Sequence, residues 1–382
     1  MAAGRPGALA LRTSFALRSL QARTAFTHHR GDGWCSQPEV GTDDHISEGL
    51  TPDDALVQGR WVKLICGASN QDLPAIADLT AVFSAVGVHC VDVAADPAVA
   101  LAARRGLDWA EAQTGRRPWL MVSLSDGTDA HFRKAWFDPG RCPVDCPRPC
   151  ERICPASAIP PAAGIDQQRC YGCGRCLPAC PHGLIEERDH RLAPEQVISL
   201  LQSIQPDAVE IHTASGHDEG FATLIQSLQQ HKVPLRRLAV SSGLEGHGVK
   251  ADQLADLLWR RYSRLRQAGY RPLWQLDGRP MSGDVGAGTA RAAVQLWRAM
   301  RSLAPPGPLQ LAGGTNAATL EFLRPTERPA GIAFGGVARR LLMPVLDEAQ
   351  TRGLALWQWP EGWKRALSLA RPLVAPWLQR SC

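Results

Sequence analysis

Two runs of four cysteines constrain this chain more than any other feature of its sequence. The first run is Cys142, Cys146, Cys150 and Cys154, and the second is Cys170, Cys173, Cys176 and Cys180. Eight of the twelve cysteines therefore lie within residues 142–180, and a proline follows the last cysteine of each run. Thiolates at such short spacing are typical of metal ligands. The segment is predicted to be a metal-binding module.

The second run has the spacing C-x2-C-x2-C-x3-C-P, which bacterial two-cluster ferredoxins use. In that arrangement, three cysteines of one run bind one cluster and the cysteine before the proline binds the other. We therefore predict a ferredoxin-like module with two [4Fe-4S] clusters. The predicted ligands are Cys142, Cys146, Cys150 and Cys180 for the first cluster, and Cys170, Cys173, Cys176 and Cys154 for the second.

The first run departs from this spacing, because three residues rather than two separate its first three cysteines. Its loop must therefore bulge, and the first cluster could be [3Fe-4S]. Two tetrahedral zinc sites are the competing interpretation. The Cys-Pro endings and the twofold repeat favour iron-sulfur. A disulfide framework is disfavoured, because the runs are metal-like and the sequence shows no secretory signal.

The composition excludes some classes of function. The 382 residues are 45% hydrophobic and 21% charged, with a net charge of +5 and no clustered basic stripe, so nucleic-acid binding is not expected. There is no run of about eighteen apolar residues, so no membrane-spanning helix is expected. Residues 1–60 are predicted to be a disordered basic extension or a transit-like segment. The predicted location is the cytoplasm, or the plastid or mitochondrial matrix if residues 1–60 are a transit peptide.

From Trp61 onward, apolar runs typical of strands alternate with helical patterns. The predicted strands are Val62–Cys66, Val88–Val93, Trp119–Ser123, Ala208–His212, Leu238–Ser241, Pro272–Leu276, Leu309–Ala312 and Gly331–Phe334. The helical patterns include Ala75–Val86, Glu195–Ile204, Phe221–Gln230, Asp252–Arg266 and Thr289–Met300. Strands and helices in this alternation predict a (β/α)8 TIM-like barrel. An open doubly wound α/β sheet with the same insertion is the alternative.

The long gap between the third and fourth predicted strands contains both cysteine runs. The ferredoxin-like module is therefore predicted to be an insertion after strand three. The predicted domains are the first part of the barrel at 61–138, the dicluster module at 139–190, the rest of the barrel at 191–352 and a Trp-rich helical tail at 353–382.

The loops after the last three strands contain candidate ligand residues. They are Asp277, Arg279, Ser282 and Asp284 after strand six, Gly313, Gly314 and Thr315 after strand seven, and Gly335, Gly336 and Arg339 after strand eight. Phosphate groups commonly bind after strands seven and eight of such barrels, where backbone amides can approach an anion. We therefore predict a flavin or another phosphate-bearing ligand there. The alternatives are glycine turns that need positive φ, and a solvated loop after strand six.

Charged residues also interrupt the apolar strands. These residues are Lys63, Glu210 and His212. They either form a polar site that faces the interior of the barrel, or pair with one another there so that each charge has a partner. The second interpretation is favoured. Cys66 and Cys90 lie in apolar surroundings and are predicted to be buried rather than ligands.

Three stretches resemble the cyanobacterial LdpA (light-dependent period) family. They are residues 61–69 (WVKLICGAS), residues 91–97 (VDVAADP) and residues 277–284 (DGRPMSGD). The resemblance runs from about Trp61 to the C-terminal region and includes the double cysteine run. It implies an iron-sulfur protein that adjusts the period of the circadian clock to light through the cellular redox state. It also implies clock or redox proteins as partners.

Two functions are predicted. The first is a redox-sensing regulatory protein without catalytic activity, in which two clusters respond to the electron supply. The second is an iron-sulfur oxidoreductase, in which the clusters pass electrons to a flavin or another phosphate-bearing ligand at the barrel mouth. The sequence shows neither a nucleophile-base pair nor a G-x-G-x-x-G motif after the first strand, which favours the sensor and leaves catalytic residues unknown.

Overall fold

The computed structural model describes residues 50–154, 156–244, 249–279 and 286–380. The predictions for residues 1–49, for Ser282 and for Asp284 lie outside these ranges. Among the described residues, no helix is both long enough and apolar enough to cross a membrane.

The described residues form ten strands. These are β1 (Trp61–Gly67), β2 (Cys90–Ala94), β3 (Trp119–Ser125), β4 (Arg133–Trp136), β5 (Glu186–Asp189), β6 (Ala208–His212), β7 (Arg237–Gly243), β8 (Pro272–Asp277), β9 (Leu309–Ala312) and β10 (Gly331–Phe334). All but β4 and β5 pair in parallel in chain order, and β1 also pairs with β10. This last pairing closes the sheet. The predicted (β/α)8 barrel is therefore confirmed, and the open sheet is wrong.

Eleven α-helices lie in the described residues. They are α1 (Pro52–Val57), α2 (Leu73–Ala85), α3 (Pro97–Thr114), α4 (Pro149–Ile153), α5 (Cys176–Ala179), α6 (Pro194–Ile204), α7 (Asp218–Gln230), α8 (Ala251–Gln267), α9 (Ala290–Met300), α10 (Gly336–Thr351) and α11 (Pro360–Leu378). Local sequence explains their starts: Asp96 accepts hydrogen bonds from Ala98 N and Val99 N, and Pro97 begins α3. Apolar residues of the longer helices join those of the strands in one buried core.

Helix α1 lies in a segment that the sequence had assigned to a disordered extension, and that assignment is wrong for residues 52–57. Thr51 caps the helix, because its Oγ1 accepts a hydrogen bond from Asp54 N at 3.2 Å. Ala55 and Leu56 are buried in a second apolar cluster together with Trp61. A six-residue helix is too short to show a periodic pattern, which is why the boundary was placed too late.

The segment between β3 and β6 contains both cysteine runs. Strands β4 and β5 flank the runs and pair antiparallel, with Arg133 opposite Asp189 and Trp136 opposite Glu186. This pairing brings the two ends of the segment together. The sequence did not predict these strands, because each has only four residues and β5 is exposed and charged.

A polar side-chain network occupies the interior of the barrel. Lys63 on β1 is fully buried and pairs with Asp92 on β2, at 3.2 Å, and with Glu210 on β6. Gln275 on β8 donates to Glu210 Oε1 at 2.9 Å. Gln310 on β9 donates to Gln275 Oε1 at 2.5 Å. The favoured interpretation of Lys63 and Glu210, as partners inside the barrel, agrees with this geometry.

We expect Glu210→Gln to lower the free energy of unfolding by about 3 kcal/mol, because it leaves buried Lys63 with a single carboxylate partner. The matched control is Asp108→Asn on α3. Its carboxylate is 64% exposed and pairs with Arg117 at 2.7 Å, so the expected loss is below about 1 kcal/mol.

Urea unfolding measures both losses. The double variant Lys63→Met with Glu210→Gln also deprives buried Asp92 of its ammonium partner, so it should be less stable than Glu210→Gln alone. Equal losses for Glu210→Gln and Asp108→Asn would contradict a structural role of the buried pair.

Candidate metal centre and barrel-mouth pocket

A cavity of about 340 Å³, including space open to solvent, lies among the cysteines, and its wall includes Cys154, Cys170, Cys173 and Cys176. These are the four residues predicted to bind the second cluster. Burial raises the pKa of the Cys176 thiol to about 12, and the charges of the other three cysteines add to the increase. The four cysteines line one cavity. Four thiolates around one cavity need a cation to balance their charge, so the residues fit a metal cluster.

Glycines allow the second run to wrap around this cavity. Gly172 and Gly174 both have a φ of +73°, in the left-handed region. A Cβ atom at Gly172 would lie 2.0 Å from the carbonyl oxygen of Arg133 on β4. Only glycine fits there without a shift of the backbone, so β4 and the loop that contains Cys170 and Cys173 hold each other in place.

The two Cys-Pro endings have the same local structure. Cys154 follows α4 with φ −71° and ψ 112°, and Cys180 follows α5 with φ −77° and ψ 112°. In each case the amide four residues later donates to the sulfur. Ala158 N lies 3.3 Å from Cys154 Sγ, and Leu184 N lies 3.4 Å from Cys180 Sγ. The repeat in the sequence is therefore also a repeat in the structure.

The first run has a different loop. Arg148, two residues before Cys150, has a left-handed φ of 44°. Its guanidinium donates to the carbonyl oxygen of Ala163 at 2.7 Å. Burial raises the pKa of the Cys150 thiol, and the nearby charge of Cys180 also raises it. Cys180 packs against the apolar cluster that contains Cys150.

The remaining predicted ligands of the first cluster are less enclosed. Cys142 packs against the apolar cluster that contains Cys150, as Cys180 does, and is partly exposed. Cys146 is also partly exposed. The first site is thus more open to solvent than the second, in which Cys170 and Cys176 are buried.

A second pocket, about 850 Å³ including its open mouth, lies at the C-terminal ends of the barrel strands. Every described residue of the predicted ligand set lines it: Asp277, Arg279, Gly313, Gly314, Thr315, Gly335, Gly336 and Arg339. Closure of the barrel brings these loops together, because the C-terminal ends of parallel strands share one face.

The two glycine doublets in this pocket differ. Gly313 and Gly314 have φ values of +67° and +83°, and a Cβ atom at Gly313 would lie 2.7 Å from the carbonyl oxygen of Arg279. The turn after β9 therefore requires glycine at Gly313 and Gly314. At Gly335 a Cβ atom would lie 3.6 Å from its nearest neighbour, so packing does not require glycine there.

One stacked pair connects the cysteine module with the pocket. Tyr171 lies between Cys170 and Cys173 in the sequence, and it lines both the cavity and the pocket. The Arg339 guanidinium carbon lies 3.8 Å from the centre of the Tyr171 ring. Arg339 also donates to the carbonyl oxygen of Cys66 on β1. Sequence reasoning missed Tyr171, because a single tyrosine in a cysteine run has no distinguishing pattern.

A histidine-carboxylate group lies in the same region. His131 Nδ1 is 2.7 Å from Asp129 Oδ1, and His212 Nδ1 is 3.8 Å from Asp129 Oδ2. The donor atoms of these three residues lie within 4.8 Å of one another, and side chains of these types also hold divalent metal ions. In this structure they pair with each other. The sequence had singled out only His212, because Asp129 and His131 precede the cysteine module in an irregular segment.

His212 is protonated in this arrangement. Burial opposes its charge, but a hydrogen bond to Glu210, at 3.2 Å, and the charge of Asp129 outweigh burial and raise the pKa of His212 to about 9. The network that begins at Lys63 therefore continues through Glu210 to His212, which lines the pocket. His212 belongs both to the barrel network and to the pocket wall.

Stability should depend on pH through His212. Its pKa is raised from 6.5 to about 9, so the stabilisation is complete below pH 6.5 and is lost as the pH rises through about 9. Between pH 6.5 and 9.5, we expect the wild-type free energy of unfolding to fall by up to about 3 kcal/mol more than that of His212→Gln.

Urea unfolding of both proteins across this pH range measures the difference. His231→Gln, at an exposed histidine after α7, is the control and should keep the wild-type pH dependence. If His212→Gln also keeps that dependence, the proposed protonation of His212 is wrong.

Comparisons with known proteins place both parts of the chain with one family. Residues 142–191 match the LdpA Fe-S cluster-binding domain, and residues 200–376 match the Light dependent period A C-terminal domain. The chain is 46% identical over 334 residues to Light dependent period A of Synechococcus elongatus (strain ATCC 33912 / PCC 7942 / FACHB-805). That alignment covers 85% of this chain and 93% of the relative. The cysteine runs thus lie in an iron-sulfur cluster-binding domain.

Two solved structures resemble this chain only distantly. Tryptophan synthase of Mycobacterium tuberculosis is 13% identical with a TM-score of 0.40, over 86% of this chain and 96% of that one. (S)-3-O-geranylgeranylglyceryl phosphate synthase of Thermoplasma acidophilum is 11% identical with a TM-score of 0.38, over 86% and 98%. Similarity at this level indicates nothing about ligand or activity.

Proposed function

The chain belongs to the light dependent period A family, and from that premise we propose that it is an iron-sulfur redox sensor with two [4Fe-4S] clusters. One observation carries the proposal: a single cavity is lined by Cys170, Cys173 and Cys176 of the second run and by Cys154 of the first. A cysteine before proline that serves the opposite site is the ligand arrangement of two-cluster ferredoxins. Cys180 packs against the apolar cluster that contains Cys150, which supports the reciprocal arrangement at the first site.

The loop that holds Cys170 and Cys173 contacts helix α10 of the barrel through Tyr171. When bound, the clusters supply one-electron redox chemistry. Tyr171 is in the loop that holds Cys170 and Cys173, and its ring stacks on Arg339 in the first turn of α10. A change of charge at the four cysteines acts on the Arg339 guanidinium through this short path. The position of Arg339 can therefore report the redox state to the barrel surface.

The name of the Synechococcus relative refers to a light-dependent period. We extend that role to this chain: the redox state of the cell, which follows light, sets the charge of the clusters, and the barrel reports it to clock or redox protein partners. Such a sensor works in the cytoplasm and needs no catalytic residues.

An oxidoreductase is the second candidate, and Tyr171 is the observation that favours it. Because Tyr171 lines both the cysteine cavity and the barrel-mouth pocket, a flavin or other phosphate-bearing ligand in the pocket would lie next to the second cluster. The clusters would then pass electrons to that ligand. Flavin in the anaerobically purified protein, with reduction that depends on the clusters, would favour this function over the sensor.

Anaerobically purified protein should contain about eight irons and eight sulfides per chain, because eight cysteines can bind two cubanes. Metal and sulfide analysis with electron paramagnetic resonance of the dithionite-reduced protein measures the content. A protein that binds only zinc after anaerobic reconstitution, without visible charge-transfer absorption, would refute the proposal.

If the last cysteine of each run binds the cluster of the other run, variants from different runs should lose the same cluster. Cys154→Ser should remove the same paramagnetic signal as Cys173→Ser, although Cys154 belongs to the first run. Cys150→Ser should remove the other signal. Cys66→Ala, in the barrel and outside the module, is the control and should retain both signals. If Cys154→Ser instead shares its defect with Cys150→Ser, each run binds its own metal and the assignment is wrong.

A further inference from the structure

A buried arginine and the start of a long helix face the barrel-mouth pocket. Helix α10 has 16 residues, and no side chain of the described residues caps its N-terminus at Gly335. Helices α2 and α3 have the carboxylate caps Asp72 and Asp96, whereas α6, α7 and α9 lack a side-chain cap, as α10 does. The positive end of the α10 dipole is therefore directed at the pocket that Gly335 and Gly336 line.

The buried side chain of Arg339 is a second, independent indication of a ligand in this pocket. Its side chain is only 8% exposed, and among the described residues its Nε has no hydrogen-bond partner. A buried donor without a partner costs about 1–3 kcal/mol, so such groups usually meet a ligand or water. Arg339 lines the same pocket as the α10 N-terminus. Two donor groups thus converge on one space from different parts of α10.

We propose that the barrel mouth binds a phosphate-bearing ligand, with its phosphate at the N-terminus of α10 between Gly336 and Arg339. Backbone amides and a guanidinium together favour an anion with several acceptor oxygens. The turn after β9 requires glycine at Gly313 and Gly314, but packing does not require glycine at Gly335. The missing side chain at Gly335 lets an anion approach the backbone closely. The pocket is larger than a phosphate and also includes Ile65 and Val337, so the ligand has an organic part.

This site is also linked to the cysteine module, and the linkage rests on the proposed function. Arg339 stacks on Tyr171, which lies between the predicted ligands Cys170 and Cys173 in the sequence. A phosphate beside Arg339 offsets part of the positive charge that favours electrons at the four cysteines. Phosphate binding and cluster reduction therefore oppose each other, and the effect is reciprocal.

Binding is tested on the full-length, cluster-loaded protein under anaerobic conditions. Inorganic phosphate and flavin mononucleotide are the probes, chloride at equal ionic strength is the control, and calorimetry and thermal unfolding are the measurements. We expect saturable binding of at least one phosphate probe and none of chloride. Absence of binding by both probes, in protein with its full iron content, would overturn the phosphate site and leave the proposed function intact.

Two pairs of variants test the location. Gly336→Asp should bind the probe at least ten times more weakly than Gly336→Asn, which has the same size without the charge. Arg339→Gln should bind at least ten times more weakly than Arg340→Gln, because Arg340 is the exposed neighbour of Arg339. If Arg339→Gln does not fold, the Gly336 pair decides. Equal binding by Gly336→Asp and Gly336→Asn would overturn the site.

The opposition between phosphate binding and cluster reduction is tested by a separate measurement. Phosphate should bind the dithionite-reduced protein several-fold more weakly than the oxidised protein, and Arg339→Gln should abolish the difference while Arg340→Gln keeps it. Equal affinity in both redox states would overturn the linkage and retain the phosphate site.

Discussion

The ammonium group of Lys63 lies inside the barrel without access to water, and much of the surrounding arrangement depends on its charge. A buried charge costs several kcal/mol unless it is paired, so neighbouring strands must supply acids. Asp92 and Glu210 do so, and Glu210 in turn accepts a hydrogen bond from Gln275 and pairs with His212. Glu210, Gln275 and His212 also line the pocket. One buried charge thus determines the polar wall of the pocket above it.

The cysteine module is joined to this barrel by specific contacts. Gln71, which follows β1, donates its backbone N–H to the carbonyl oxygen of Gln168 at 3.0 Å. Arg169 donates to the side chain of Gln350 in α10 at 2.6 Å. These bonds hold the second cysteine loop against the C-terminal face of the barrel, where Tyr171 meets Arg339. The metal-binding residues and the pocket therefore share a wall, which a flexible tether would not provide.

Helix α10 unites the proposed sensing and binding roles. Its first turn contains Gly336 and Arg339 at the pocket, and its last turn contains Gln350 at the module. A change of charge at the cysteines and an anion in the pocket act on the same short segment. Because both proposed sites are anionic and share the positive charge of Arg339, the proposed coupling between them needs no large movement.

The sequence alone determined the parts of the structure that depend on residues close together in the chain. Apolar periodicity placed all eight barrel strands to within two residues, and cysteine spacing singled out the metal module. The spacing also predicted that Cys154 joins three cysteines of the other run. Only the tertiary structure decided that β1 pairs with β10 rather than ending an open sheet, and that Tyr171 stacks on Arg339. The physical reason is distance along the chain: periodicity and spacing encode contacts between near neighbours, whereas these contacts form only after the barrel closes and packs.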